Sequence, residues 1–354
     1  MILKKIAYIE LDTHAEIAGN FMAIMNASKE FEVDYYFSER VIKHLGQHES
    51  NIHLSENTEL LTQLNQKKYD LVIIGTVHRY FNLFNEITKK FNTSIIVHNL
   101  NFTNISRFQL FKTIFKKDFQ YRLKLWLKED LLSASKVFQK AKNLLVLDQS
   151  LAKDRLKYMP VFYNQFQDSN QLEIFTIVIP GAVSQQRRDY KKVLQELTKL
   201  SLDQSQSERL IQVIFLGKAQ WKELQWLKDF DNEKTENISI RYFTEKVSQP
   251  LFDEWMNKAD VLWCPIQSET EFFSNKEIYG KSKMSGNIGD AIKYGKMAFF
   301  PENYRSDFEF VINEEVNSGG EIFDFNPENF YDFQKEFSKN KILADLEKVL
   351  EFLL

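Results

Sequence analysis

Short apolar runs alternate with amphipathic stretches of helical period along the whole chain. Ile6–Ile9, Val33–Phe37, Leu71–Ile74, Ser94–Val97 and Leu144–Leu147 are β-branched and aromatic runs too short for buried helices, so they read as strands. Between them, about His14–Ser28, Glu56–Gln66, a stretch ending at Lys90 and the run from Ser150 carry apolar residues at helical spacing. The second half repeats the pattern, with strands at Ile174–Ile179, Gln212–Leu216, Ile238–Tyr242, Val261–Cys264 and Met297–Phe300. Such alternation demands parallel strands joined by crossover helices. The expected fold class is therefore α/β, with two Rossmann-like doubly wound parallel sheets facing each other across a cleft. At 354 residues the chain exceeds one typical core and suits two domains. The polar stretch YNQFQDSN, residues 163–170, marks the join, giving domains 1–165 and 170–325. A closing segment, 326–354, reads as two helices whose Leu343, Leu346, Val349, Leu350 and Leu353 should pack on the body.

Composition narrows the class further. With 31 Phe and 14 Tyr and few Gly or Pro, the chain has ample apolar surface to bury and no low-complexity linker. The N-terminal apolar run is brief and soon meets Glu10 and Asp12, so it is expected to be a first strand and not a secretory signal. No run approaches the ~18 apolar residues of a membrane-spanning helix, and Cys264 is the only cysteine, which excludes an intrachain disulfide. A cytoplasmic location is expected. Net charge is −3, yet residues 1–165 carry +6 and the remainder −9, so the basic half suits an anionic surface.

In doubly wound folds ligands bind just past the strands' carboxyl ends, so those residues are the candidates for chemistry. Phe175–Ile179 turns through Pro180-Gly181 into a helix opened by Arg187 and Arg188. Backbone N–H groups at a helix start, with guanidinium forks beside them, form an anion site. Lys218 follows the strand ending at Gly217. Tyr279 to Ile292 holds Gly280, Gly286 and Gly289 with Lys281 and Lys283 before a helix, a phosphate-cradling grammar without the order of a Walker loop, and Asp290 suits either a ribose diol or the dipole of the helix it opens. In the first half, the loop after Ile6–Ile9 offers His14 and Glu16 as a base or hydroxyl partner. His98 ends the strand Ser94–Val97 beside Asn99 and Asn101, suited to a sugar's hydroxyls. Residues 107–128 set Phe108, Phe111, Phe115, Phe119 and Trp126 at helical spacing among seven Lys and Arg. That stripe is either a core face under solvated cations or a face for anionic lipid. No nucleic-acid motif accompanies it.

These pieces resemble a GT-B glycosyltransferase, most closely the retaining family-4 type, over nearly the whole length. The strand-glycine-basic helix at Phe175–Leu194 is similar to the start of that family's donor-binding domain, with Gly181 at its glycine, Ala182 where an arginine is usual, and Arg187 or Arg188 near its lysine. GDAIKYGKMAFFP resembles the family's second acidic region, with Asp290 at the ribose-binding glutamate. EIYG resembles its first, with Glu277 displaced by an insertion and Ser282 at the regular spacing. IIVHN is similar to its strand-histidine, making His98 the partner of the transferred sugar's hydroxyl, while DTHAEIAGN replaces a glycine-rich loop. The resemblance implies a metal-independent hexosyltransferase that needs no cofactor. Its donor is expected to be a nucleoside diphosphate sugar held by Gly181, Arg187, Arg188, Lys218, Glu277, Lys283, Gly286 and Asp290, with His98 serving the chemistry and His14 and Glu16, read from the residues themselves, beside it. It implies a carbohydrate or lipid-linked acceptor and a role in cell-surface polysaccharide or glycolipid synthesis, while the basic aromatic stretch 107–128 suits a peripheral post on the membrane's inner face. A nucleotide-sugar epimerase of the same fold and a non-catalytic partner subunit are the alternatives.

Overall fold

The computed structural model describes residues 3–47, 49–165, 174–202, 210–233, 237–314, 322–323, 325 and 331–354. The chain forms two compact units, the first built from residues 1–163, 271–284 and 339–354, the second from 164–270 and 285–338. Residues 166–170 of the join lie outside the described residues.

The first unit's strands are β1 (Lys4–Glu10), β2 (Phe31–Phe37), β3 (Ile52–Leu54), β4 (Leu71–Ile74), β5 (Thr93–Ile96), β6 (Asn143–Val146) and β7 (Leu156–Tyr158). They form one parallel sheet in the order β3-β2-β1-β4-β5-β6-β7. Helices cover both faces, so the central strands carry apolar residues without alternation and Ile6–Ile9 and Leu71–Ile74 are wholly buried. The helix Phe81–Lys90 shows how the pattern works, burying Phe81, Phe84 and Ile87 at three-residue steps. The chain leaves β1 toward β2 and then returns to β4 on the other side. The loops after β1 and β4 therefore leave the sheet where its strand order reverses, the place where doubly wound sheets bind ligands.

The second unit repeats the topology. From Phe175 onward the strands are β8 (Phe175–Pro180), β9 (Ile211–Lys218), β10 (Ile238–Phe243), β11 (Val261–Trp263), β12 (Glu269–Phe272), β13 (Asn275–Ile278), β14 (Met297–Pro301) and β15 (Val311–Glu314), of which β13 lies in the first unit. Six of them form a parallel sheet, β10-β9-β8-β11-β14-β15, with its reversal between β8 and β11. Every residue of β8 is buried, as a strand between two helical layers requires.

Three features depart from the linear reading. Strands β3, β7 and β15 were not expected; each is three or four residues long and mostly half-buried. β12 and β13 form a separate hairpin that was not among the expected strands, and residues 271–284 belong to the first unit. Its turn residues Phe273 and Ser274 have φ of 48° and 54°, a region costly for a bulky side chain. Phe273 stacks on Phe102 at 5.4 Å and Phe272 meets Phe102 at 4.8 Å, packing that offsets the strain. The closing helices also part company. Phe333–Phe337 belongs to the second unit, whereas Lys339–Leu353 belongs to the first. There Leu346, Leu350 and Leu353 are fully buried, and Glu347 accepts from Ser28 Oγ at 2.6 Å.

Residues 107–128 form two helices, Arg107–Ile114 and Phe119–Glu129, broken at Asp118, whose φ is 49°. Most of their aromatic stripe is exposed, with Phe108 66%, Phe115 60% and Phe119 46% accessible, while Trp126 is half-buried against the core. The reading as a core face is thereby corrected. Leu110, Ile114 and Leu125 bury instead, so a different sector of the helices faces the core. Among the described residues no helix is long and apolar enough to cross a membrane.

Candidate functional site

In the second unit the strand-end residues gather around two glycines. Gly181, just past β8, has φ of 101°, a conformation that favours glycine. A Cβ there would lie 2.4 Å from Arg188 Nη2, so the guanidinium occupies the place of a side chain. Gly217, near the end of β9, would set a Cβ 2.2 Å from the Gly181 carbonyl oxygen. The two turns cross so closely that neither tolerates a side chain. Residues 185–187 form a turn, and the helix begins only at Tyr190, so the paired arginines precede it. Asp189 accepts from the Lys192 backbone N–H at 3.2 Å and caps that helix. Arg187 is exposed, while Arg188 turns inward.

Arg188 Nη2 donates to Asn287 Oδ1 at 3.3 Å, and Nη1 reaches Ala182 O at 3.5 Å. Its Nε is buried with no hydrogen-bond partner among the described residues. Asn287 Nδ2 donates to Asp290 Oδ2 at 3.0 Å, so this one amide orients both the cation and the acid. Asn287 lies in the helix Gly286–Tyr294, whose N-cap Ser285 accepts from the Asn287 N–H at 3.3 Å. A Cβ on Gly286 would meet no atom within 4 Å, so the space at this helix start is open. A guanidinium and a helix N-terminus at one sheet reversal are an arrangement that can hold an anion, because dipole and donors attract the same oxygens. Lys218, half-buried, ends β9 in the same unit. Sequence reading missed the part played by Asn287, since an asparagine among glycines and serines gives no signal of what it orients.

Glu277 and Lys283 lie in the first unit, on the segment 271–284. Glu277 is fully buried; its oxygens accept from the Asn101 N–H at 3.2 Å and the Phe102 N–H at 3.0 Å. It thus caps the short helix Leu100–Thr103. Lys283 Nζ donates to Asn99 Oδ1 at 2.6 Å. That bond turns the Asn99 amide so that Nδ2 meets His78 Nε2 at 3.3 Å, which makes the amide the donor and His78 Nε2 the acceptor.

Three histidines meet at the carboxyl ends of β1, β4 and β5. His14 and His98 lie parallel with ring centroids 3.6 Å apart, and His78 stands edge-on to them at 5.5 and 5.9 Å. Burial lowers the pKa of His14 to about 4 and of His78 to about 3, and holds His98 well below the usual histidine range; Lys283 adds repulsion to all three. All three are neutral near pH 7. His98 Nε2 donates to Gly75 O at 2.8 Å, which leaves its Nδ1 bare. His14 Nδ1 meets Thr76 Oγ1 at 2.8 Å, and that hydroxyl donates to Glu10 Oε2 at 2.7 Å. Glu10, the last residue of β1, is fully buried, and that burial raises its pKa to about 7. A Cβ on Gly75 would lie 2.6 Å from Glu10 Oε2, so the glycine makes room for the carboxylate. Glu16 is exposed on the helix Ala15–Met25, and no hydrogen bond joins it to the histidines. Sequence reading took in His14 and His98 but passed over Glu10, Thr76 and His78. The run Thr76-Val77-His78 after β4 carried the available signal. Among the described residues no cluster of three His, Cys, Asp or Glu side chains is arranged to hold a metal ion.

No protein-family model matches the sequence, and no curated protein matches it significantly. Solved structures match its fold. The pneumococcal O-GlcNAc transferase GtfA in complex with UDP and GlcNAc is similar at 10% identity, over 100% of this chain and 99% of that one, with a TM-score of 0.58. HepE from Anabaena in complex with UDP is similar at 11% identity, over 98% and 100%, with a TM-score of 0.59. UDP-GlcNAc 2-epimerase from Methanocaldococcus jannaschii is similar at 10% identity, over 98% and 99%, with a TM-score of 0.51. The shared fold is GT-B, two Rossmann-like α/β domains, as the sequence led us to expect.

Proposed function

We propose that this protein is a glycosyltransferase that moves a hexose from a nucleoside diphosphate sugar to a carbohydrate or lipid-linked acceptor in cell-surface polysaccharide or glycolipid synthesis. The observation that carries the reading is Arg188, its guanidinium laid on Gly181 beside the open start of the helix Gly286–Tyr294. Breaking a glycosyl–phosphate bond puts negative charge on the departing diphosphate. A preorganised guanidinium and helix N-terminus stabilise that charge without a metal ion or cofactor. Lys218 adds a cation at the strand end, and Asp290, oriented through Asn287, is placed to accept from a ribose diol. The neutral histidines of the first unit suit an acceptor, since uncharged imidazoles give and take hydroxyl protons. The UDP held by GtfA and HepE supports a uridine nucleotide here. A thermal-shift panel of UDP-, GDP- and ADP-sugars tests the donor. Ligand at ~100 times its Kd stabilises by about 2.7 kcal/mol, so one nucleotide class should raise Tm by several degrees. A flat panel would overturn the reading.

The histidine cluster also suits an epimerase, which needs proton transfer at a sugar carbon. An NMR time course of donor alone separates the two. Conversion of the sugar with no acceptor present favours epimerisation, whereas transfer requires an acceptor.

The exposed Phe108, Phe115 and Phe119 and the neighbouring cations, with Lys112 Nζ 4.2 Å from the Phe108 ring centre, are suited to an anionic membrane surface. Each Lys or Arg near such a surface contributes about 1 kcal/mol. Co-sedimentation with vesicles is expected to rise tenfold or more when anionic lipid is added. Phe108→Ser with Phe115→Ser should reverse most of that gain, and binding indifferent to lipid charge removes the assignment.

A further inference from the structure

Glu10 has no role in the scheme above, yet it is a fully buried acid at the carboxyl end of β1, the end of the sheet at which doubly wound folds bind ligands. Its Oε1 accepts from the Asp12 N–H at 2.9 Å, which leaves Oε2 facing Thr76 Oγ1 at 2.7 Å. Thr76 is 3% exposed, and its hydroxyl lies 2.8 Å from His14 Nδ1, to which Thr13 Oγ1 comes less closely at 3.2 Å. The three groups form one hydrogen-bonded line, from a dry carboxylate through a hydroxyl to a half-buried imidazole. Gly75 keeps space for its inner end.

A hydroxyl has one proton, so the charge of Glu10 dictates the tautomer of His14. While Glu10 is a carboxylate, Thr76 donates inward, His14 must donate from Nδ1, and Nε2 is a bare acceptor. When Glu10 is protonated it donates to Thr76 from Oε2. Thr76 then donates to His14, and the imidazole carries its proton on Nε2. Direct protonation of His14 creates a cation among His78, His98 and Lys283, which burial and repulsion oppose. A relayed proton avoids that cation.

On the reading of the protein as a sugar transferase, we infer that Glu10 is the terminal proton acceptor for the acceptor hydroxyl, reached through His14 and Thr76. The hydroxyl O–H bond breaks as Nε2–H forms on His14. Nδ1–H breaks as a new O–H forms on Thr76, and the former Thr76 proton passes to Glu10 Oε2. One proton moves and no electrons are exchanged. His14 is neutral before and after, the carboxylate becomes a neutral acid, and the substrate oxygen is freed to attack the sugar. Glu10 takes up a proton near pH 7, which suits the task; burial sets this, opposed by Thr76 and the Asp12 and Thr13 N–H groups and assisted by the Asp12 charge. The remaining ionisable neighbours of the line are Tyr8, His78, His98 and Lys283. Tyr8, His78 and His98 do not mimic Glu10 near pH 7, because burial holds Tyr8 high and both histidines low.

The test uses the full chain and two readouts. Long-range ¹⁵N–¹H correlation of the histidine rings should show His14 as Nδ1–H above pH 7 and Nε2–H below it, with no imidazolium until about pH 4. Glu10→Gln presents its amide donor to Thr76 and should lock His14 as Nε2–H at every pH between. Thr76→Val should abolish the switch and Thr76→Ser restore it. In turnover of the UDP-sugar chosen by thermal shift, kcat should rise with pH through 7. Glu10→Gln and Thr76→Val should lower kcat by about 10²-fold or more with KM little changed and the pH limb lost. A His14 tautomer that ignores pH overturns the relay, as does wild-type kcat in both variants, and the latter leaves the transferase reading standing. A tautomer switch in a protein that turns over no nucleotide sugar keeps the proton line and overturns that reading instead.

Discussion

Arg188→Ala is expected to lower kcat/KM for the nucleotide sugar by about 10²–10³-fold, the usual loss when one preorganised donor to a developing anion is removed. The fold should survive. The hydrogen bonds of Arg188 within its unit are long, 3.3 and 3.5 Å, and Gly181 requires no side chain over it to keep its conformation. Arg188→Lys should recover only part of the rate, since an ammonium is a point charge where the guanidinium offers a planar fork. Steady-state kinetics with a melting curve for each variant decides the matter. Turnover unchanged in Arg188→Ala removes the residue from the diphosphate site, and a collapsed Tm would show a structural role instead.

The second large effect is on stability. Glu277→Ala strips the acceptors from the buried N–H groups of Asn101 and Phe102. An abandoned buried donor costs about 1–3 kcal/mol, so a loss of about 3 kcal/mol is expected, or roughly 6–12 °C in Tm for a unit of this size. Glu277→Gln retains one acceptor oxygen and should lose about half as much. Because the same segment carries Lys283, which orients Asn99 and through it His78, the His78 ring signals should move in both variants. A melting curve that matches wild type would show that water replaces the carboxylate at the helix start.

What was legible in advance follows from burial. Strands such as β1, β4 and β8, covered on both faces, appear as unbroken apolar runs, and ten of the strands were readable in that way. β3, β7 and β15, at the sheet edges, have half-buried side chains and too few residues for a period to emerge. The hairpin of β12 and β13 was hidden because its turn is Phe273-Ser274, where asparagine or glycine would have announced positive φ. Strand-end logic led to Gly181, Arg188, Asp290, His14 and His98. Adjacency in sequence, by contrast, joined Glu277 and Lys283 to Asp290, although they belong to a different unit. Glu10 was passed over for another reason. An acid that ends a strand looks like the first solvated residue of a loop, and only its neighbours Thr76 and Gly75 reveal that it is dry.

The division of the first unit among three stretches of chain bears on how the protein is made. During synthesis, residues 1–163 leave the ribosome long before 271–284 and 339–354 exist. Until they arrive, the surface later covered by Leu346, Leu350 and Leu353 is wet, and the helix Leu100–Thr103 lacks its cap. That part of the nascent N-terminal sheet therefore keeps apolar surface uncovered until residues 339–354 are made, an exposure of the kind that favours aggregation.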